Sequence, residues 1–306
     1  MTMNKLHGSA DSADITPADS QFLYGYPHVP RMSEGVHDPL LASALYLADG
    51  DSGVLFVSSD SIWVNKAIAR RVRERIAAAT SVPPRHILIS SSHLGASGNQ
   101  SPRHVTKGNT FAEADRLGRI VADAIMRVFD SISFTDAAAI HCVSEDVFFQ
   151  SRSMPSEPVA LEELQEARSR YARLQHDGAA RAEVRTAECD LFGAEETAAL
   201  ARAAVDGRLE KAVASCLPAE IQVIAVGPWR FVAWPGEVYV EFALLLRSQF
   251  PNAFVITLAN GDLQAYFVTQ EAVDRRYYEA GNAIFSSPDS PEKLVDASLK
   301  LLAQLG

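Results

Sequence analysis

Position and residue type make His93 the first candidate for chemistry in this chain. It follows the predicted strand 86–92 and opens a loop rich in Ser, Gly and Asn. A strand end fixes a side chain on a rigid element, while a Gly-rich loop lets a ligand approach the backbone. The position is typical of a metal ligand or a catalytic base in an α/β protein, and also of a hydrogen-bonded structural histidine.

Two further strand exits carry polar side chains. Glu237 ends a Trp-Pro-Gly-Glu sequence and is predicted in the first turn of a helix, where the helix dipole keeps a carboxylate ionised. Asn260 and then Tyr266 follow another predicted strand. Each also has a plain structural interpretation: Glu237 as a helix-start acid and Tyr266 as a residue at the edge of the core.

Loop residues supply the remaining candidates. His37 and Asp38 lie in an early loop, 25–39, that is rich in Gly, Pro, His and Arg. Its polar density predicts that this loop lines a pocket, with Arg31 as a substrate-binding residue, although His37 and Asp38 also suit a simple turn. Ser97, in the loop after His93, is a second candidate for substrate binding.

Composition indicates an ordinary soluble globular protein of the size of an enzyme. The 306 residues are 47% hydrophobic and 22% charged, and 38 acidic against 28 basic residues give a net charge of −10. A net negative charge argues against nucleic acid or an anionic membrane as the main partner. No apolar run approaches the roughly 20 residues of a membrane span. Three scattered cysteines and no apparent signal peptide predict a cytoplasmic protein.

Hydrophobic periodicity predicts an α/β fold with a mixed β-sheet core and helices packed around it. The length of 306 residues suits one large domain or two smaller ones. Residues 1–21 are expected to be irregular, and 155–215 to form a charged helical layer. The other predicted strands are 40–47 and 54–58, joined as a hairpin, and 137–149, 220–226, 231–234 and 253–258. The other predicted helices are 62–79, 111–129, 238–248 and 291–305.

Four groups of residues, spread over both ends of the chain, form one common pattern. They are Asp14-Ile-Thr-Pro17 with Gly25-Tyr26; Gly35-Val-His-Asp-Pro-Leu40; the stretch 83–98; and Pro235-Gly-Glu237 with Leu258-Ala-Asn-Gly261, Tyr266 and Tyr278-Glu279. In this order they resemble the neutral/alkaline non-lysosomal ceramidase family of zinc-dependent amidases. The resemblance implies a fold like the N-terminal domain of those enzymes, as a single domain over 1–306.

The resemblance also implies a metal site. Carried over by position, His93, Glu237 and Tyr266 become ligands of a zinc ion, which would activate water for attack on an amide or ester carbonyl. The implied function is metal-dependent hydrolysis of a small or medium soluble substrate. His93, Asp38 and His37 are then the candidate catalytic residues, and Arg31, Ser97 and Asn260 the candidate substrate-binding residues.

Two departures from the family pattern keep other interpretations open. The family's second histidine after the strand is replaced in Leu94-Gly-Ala-Ser97, and its long central segment is missing. The site could therefore hold another divalent metal or none. The chain could instead be a catalytically degenerate binding or assembly module, or a metal-free enzyme with His93 as its base. Loss of the central segment would also expose apolar surface, which favours self-association.

Overall fold

The computed structural model describes residues 6–21, 32–36, 39–62, 64–91, 139–261, 263, 266–274, 279–280, 284–285 and 289–305. These residues form a mixed α/β fold, which confirms the predicted fold class. None of the helices in these ranges is long and apolar enough to cross a membrane.

The strands form two four-stranded sheets and a short ribbon. The first sheet contains β1 (His7–Asp14), β2 (Leu41–Ala48), β3 (Gly53–Ser59) and β4 (Ile87–Ser91), in that order. The second contains β5 (Ile140–Val147), β6 (Ala219–Val226), β7 (Trp229–Ala233) and β9 (Ala253–Ile256). The ribbon pairs β8 (Glu237–Val238) with β10 (Tyr266–Phe267).

Both four-stranded sheets have the same topology. In each, the first three strands are antiparallel neighbours and the fourth runs parallel to the third. A helix lies between the last two strands of each sheet: α1 (Lys66–Ala79) between β3 and β4, and α5 (Val240–Gln249) between β7 and β9. The carboxyl ends of the two parallel strands in each sheet therefore lie at one edge.

The expectation that residues 1–21 are irregular is wrong for 7–14. This segment forms β1, which pairs antiparallel with β2 over its whole length, from His7 opposite Ala48 to Asp14 opposite Leu41. All of its side chains are exposed. Backbone hydrogen bonds to an open sheet edge hold the strand, so its Ser- and Asp-rich sequence carries none of the apolar alternation from which a strand is predicted.

Side-chain alternation along the strands produces four layers. Val54, Phe56 and Leu88 of the first sheet pack on Ile224 and Phe231 of the second, with the Phe56 and Phe231 rings 5.0 Å apart in an edge-on arrangement. The outer face of the first sheet packs on α1. The outer face of the second packs on α5 and on α7 (Ser290–Gln304). The order is helix, sheet, sheet, helix.

The side chain of Asp49 connects the two sheets at one end through hydrogen bonds. Its Oδ1 accepts the backbone N–H groups of Asp51 (2.9 Å) and Ser52 (2.7 Å), while Oδ2 accepts that of Ile140 at the start of β5 (3.0 Å). Burial raises the pKa of this carboxyl, but the bonds from Ser52, Ile140 and Asp51 outweigh burial and leave the pKa below its ordinary value.

The charged region 155–215 is helical, as expected. Its helices are α2 (Glu157–His176), α3 (Arg181–Val205) and α4 (Arg208–Cys216). Ala160, Leu164 and Ala198 form a small core between α2 and α3, and ion pairs such as Arg168–Glu195 and Arg202–Glu157 flank it. The short helix α6 (Gln270–Asp274) follows β10.

A buried hydrogen bond joins the second sheet to α7. The indole Nε1 of Trp234, just after β7, donates to Ser298 Oγ (2.8 Å), and both residues are fully buried. When a buried indole N–H has no hydrogen-bond partner, the protein loses the full free energy of hydrating that group.

We predict that Ser298→Ala lowers the free energy of unfolding by about 1–3 kcal/mol, because it leaves the buried Trp234 N–H without a hydrogen-bond acceptor. Urea denaturation followed by Trp fluorescence measures the loss. Ser215→Ala is the matched control, since Ser215 is a helical serine whose Oγ also donates to a carbonyl of its own helix, but on an exposed face. Equal losses in the two variants would contradict the prediction.

Candidate functional site

Glu237 and Tyr266 lie side by side. They are register partners in the parallel ribbon of β8 and β10, followed by the partners Val238 and Phe267. Phe267 is buried and Val238 packs against the same core, so the side chains one residue earlier point to the opposite face. Neighbouring strands are about 4.8 Å apart, so the side chains of Glu237 and Tyr266 leave the backbone next to each other on one face.

The prediction that Glu237 stands in the first turn of a helix is wrong. Glu237 lies in β8, and α5 begins only at Val240. The chain stays extended through Tyr239, whose backbone N–H donates to the Phe267 carbonyl (3.0 Å). The hydrogen bonds to β10 therefore delay the helix, and the ordering of Glu237 comes from the ribbon rather than from a helix dipole.

Segment 258–261 joins this ribbon to the first sheet. The Leu258 N–H donates to the Gly236 carbonyl (3.3 Å), while the Leu258 carbonyl accepts the N–H of Ser91, the last residue of β4 (3.2 Å). Ala259 forms an antiparallel bridge with Ser90. Ser91, at the end of β4, is thus connected through Leu258 to Gly236, the residue before Glu237. His93 follows Ser91 by two residues in the sequence.

Hydroxyl groups line the carboxyl ends of β3 and β4. Ser61 Oγ lies 3.2 Å from Ser59 Oγ and 3.3 Å from Ser91 Oγ. Through Ser91 and Leu258 these residues connect to Gly236 and the ribbon. The carboxyl ends of the parallel strands from both sheets therefore meet in one place, which is where open α/β sheets bind ligands.

Asn260 is a positioning residue in this arrangement. It is buried, its Oδ1 accepts the Ile89 N–H (3.0 Å), and its Nδ2 donates to Gln222 Oε1 (2.9 Å). Its own backbone N–H donates to the Ile89 carbonyl (2.7 Å). Because the amide is engaged with β4 and β6, these contacts support a structural role, and direct substrate binding by Asn260 stays a prediction.

Gln222 and the pairing of β8 with β10 were not predicted from the sequence as parts of the site. Gln222 is completely buried and links Asn260 to the Arg85 carbonyl (2.8 Å). One signal for it was present: a lone amide inside the apolar strand Ala219–Val226 needs buried partners. The ribbon itself is too short to give an alternating pattern.

Five of the predicted site residues lie outside the described parts of the chain: His93, His37, Asp38, Arg31 and Ser97. Their roles stay predictions. The predicted helix 111–129 lies outside as well.

At the candidate site, the described residues offer oxygen donors to a metal. Glu237 and Tyr266 supply a carboxylate and a phenol, which suit zinc or a harder divalent cation. Within the described ranges no cluster of three or more His, Cys, Asp or Glu side chains could hold a metal ion.

Burial raises the pKa of the Cys142 thiol to about 12, so Cys142 is neutral between the sheets at physiological pH.

Comparisons with known proteins find similar solved structures but no similar sequence family. Neither the comparison with protein families nor that with curated proteins finds a match. Among solved structures, the chain is similar to the neutral ceramidase from Pseudomonas aeruginosa, with 12% identity, a TM-score of 0.49, and coverage of 98% of this chain and 75% of that one. For a ceramidase complexed with C2 the values are 12%, 0.47, 97% and 74%. Family membership stays a resemblance.

Backbone strain marks the segment that joins the ribbon to β4. Leu258 and Asn260 have positive φ angles of 51° and 62°, and Gly261 has a φ of 145°. A Cβ on Gly261 would stand 3.1 Å from Lys66 Cβ and 3.2 Å from Lys66 Cα, at the start of α1. Gly261 thus allows both the strained turn and the close approach of α1.

We predict that Gly261→Ala lowers the free energy of unfolding by about 2–3 kcal/mol, through backbone strain together with crowding at Lys66. Gly178→Ala is the control, because Gly178 also has a positive φ (63°) but no atom within 4 Å of a new Cβ. We expect that variant to lose roughly 1 kcal/mol. Equal losses of unfolding free energy for the two variants in parallel denaturant titrations would show that crowding against Lys66 does not affect stability.

Proposed function

We propose that the protein is a metal-dependent hydrolase that cleaves an amide or ester bond in a small or medium-sized substrate, with zinc as the first candidate metal. The observation that carries the proposal is the pairing of Glu237 with Tyr266 on one face of a parallel ribbon. The family resemblance in the sequence implied both residues as metal ligands, although they are 29 positions apart in the chain.

The surroundings of the pair support the proposal. Leu258 bonds to Gly236 on one side and to Ser91 on the other, so the strand that leads to His93 ends close to the pair. His93 is the third proposed ligand, by its place in the sequence. When bound, zinc supplies a Lewis acid that activates water and polarises a carbonyl.

This chain's own residues would have distinct tasks. Glu237 and Tyr266 would hold the metal, and the hydrogen-bonded backbone behind them would keep the two side chains from separating. In the proposal, His37 and Asp38 are the candidate proton-transfer groups of the early loop, and Arg31 and Ser97 contact substrate. The hydroxyl groups of Ser61 and Ser91 would offer hydrogen bonds to a polar part of the substrate.

We predict that the purified protein binds one equivalent of zinc and that Glu237→Gln and Tyr266→Phe each weaken zinc binding at least tenfold, because each removes a ligand. Equilibrium competition with a chromophoric chelator measures the affinity. Hydrolysis of a p-nitrophenyl ester and of a p-nitroanilide should fall in parallel. His93→Ala should behave like the other two ligand variants.

Glu241→Gln is the matched control, since Glu241 is an exposed carboxylate in the first turn of α5, four residues after Glu237. It should bind zinc and turn over substrate like the wild type. Wild-type protein that takes up no divalent metal would overturn the proposal. Stoichiometric zinc that persists in Glu237→Gln would remove Glu237 from the site. Absence of both metal and hydrolysis would favour the binding-module interpretation.

A further inference from the structure

We propose that Tyr239 and Glu279 form a brace that positions Glu237 beside Tyr266. The Tyr239 Oη donates to Glu279 Oε2 at 3.0 Å, and the Tyr239 N–H donates to the Phe267 carbonyl at 3.0 Å. The inference rests on the proposed function, because the positioned pair is the proposed metal-ligand pair.

The two faces of the ribbon explain why the brace acts on Glu237. Val238 and Phe267 are register partners on the core face, and Phe267 is fixed there by an edge-on contact with Phe149 (5.2 Å between ring centroids). Side chains alternate along an extended chain, so Tyr239 lies on the same face as Glu237. The backbone is extended at Tyr239, which makes this alternation continue to the start of α5.

The ribbon needs such support because it is short. Each of its strands has two residues, and an isolated two-stranded ribbon is marginally stable in water even when it is longer. The core fixes β10 through Phe267, but β8 carries only Val238 on that side. The bonds of Tyr239 hold the carboxyl end of β8 twice, once to β10 and once to Glu279.

Glu279 belongs to neither four-stranded sheet and to neither strand of the ribbon. Its hydrogen bond with Tyr239 therefore ties the ribbon to a residue outside it. We assign Tyr239 and Glu279 as positioning residues, since neither is among the proposed ligands.

The test is equilibrium zinc binding to the full-length protein. We expect Tyr239→Phe to bind zinc about three- to tenfold more weakly, a smaller loss than the 10–100-fold typical of partners that contact a ligand directly. Glu279→Ala should show the same loss, and Glu279→Gln, which keeps an acceptor oxygen, should bind like the wild type. The double variant Tyr239→Phe/Glu279→Ala should lose no more than either single variant.

Tyr171→Phe is the control for loss of a tyrosine hydroxyl, since the Tyr171 Oη accepts a bond from Gln175 on exposed α2, outside the proposed site. Far-UV circular dichroism must be unchanged in every variant, and Co²⁺ absorption bands report ligand geometry independently of activity. Unchanged zinc affinity in Tyr239→Phe, or additive losses in the double variant, would overturn the brace alone. Wild-type protein without any zinc affinity would overturn the proposed function and the brace together.

Discussion

The buried side chain of Asn260 is the contact on which the candidate site depends. Its amide accepts from β4 and donates to Gln222 of β6, so one side chain joins the two sheets where their parallel strands end. Asn260 does this in a left-handed backbone conformation, which asparagine tolerates better than most residues. Gly261 then follows with its own positive φ and lets α1 come close.

The repeated topology of the two sheets gives this contact its effect. Each sheet ends in a parallel strand that follows a helix, and the bridge between Ser90 and Ala259 joins the chain at the carboxyl ends of the two. In a single open sheet such ends would face solvent along one edge. Here the carboxyl ends of the parallel strands of both sheets lie next to each other, so polar groups from four strand ends share one small region. The sequence shows no internal repeat, and this convergence is visible only in three dimensions.

Sequence patterns predicted the elements that have a buried face. The nearly continuous apolar run of β6 and the periodicity of α7 gave both elements nearly correct bounds, because burial drives both patterns. β1 was missed since an exposed edge strand needs backbone partners and no apolar residues. Glu237 was placed in the wrong element, because two extended residues carry no pattern and their pairing with β10 is set by tertiary hydrogen bonds. Its role as a site residue stays a prediction.

Backbone hydrogen bonds, more than side chains, determine where Glu237 stands. The carbonyls of Trp234, Pro235 and Gly236 accept from Ala259, Leu263 and Leu258 in turn. Trp234 in turn donates a hydrogen bond to Ser298, so the core helix α7 helps to position the Pro-Gly-Glu turn. These bonds order the backbone that precedes Glu237, and a proposed site with two oxygen donors requires such support. It follows that substitutions in the core around Trp234 should act on the site as strongly as substitutions beside it.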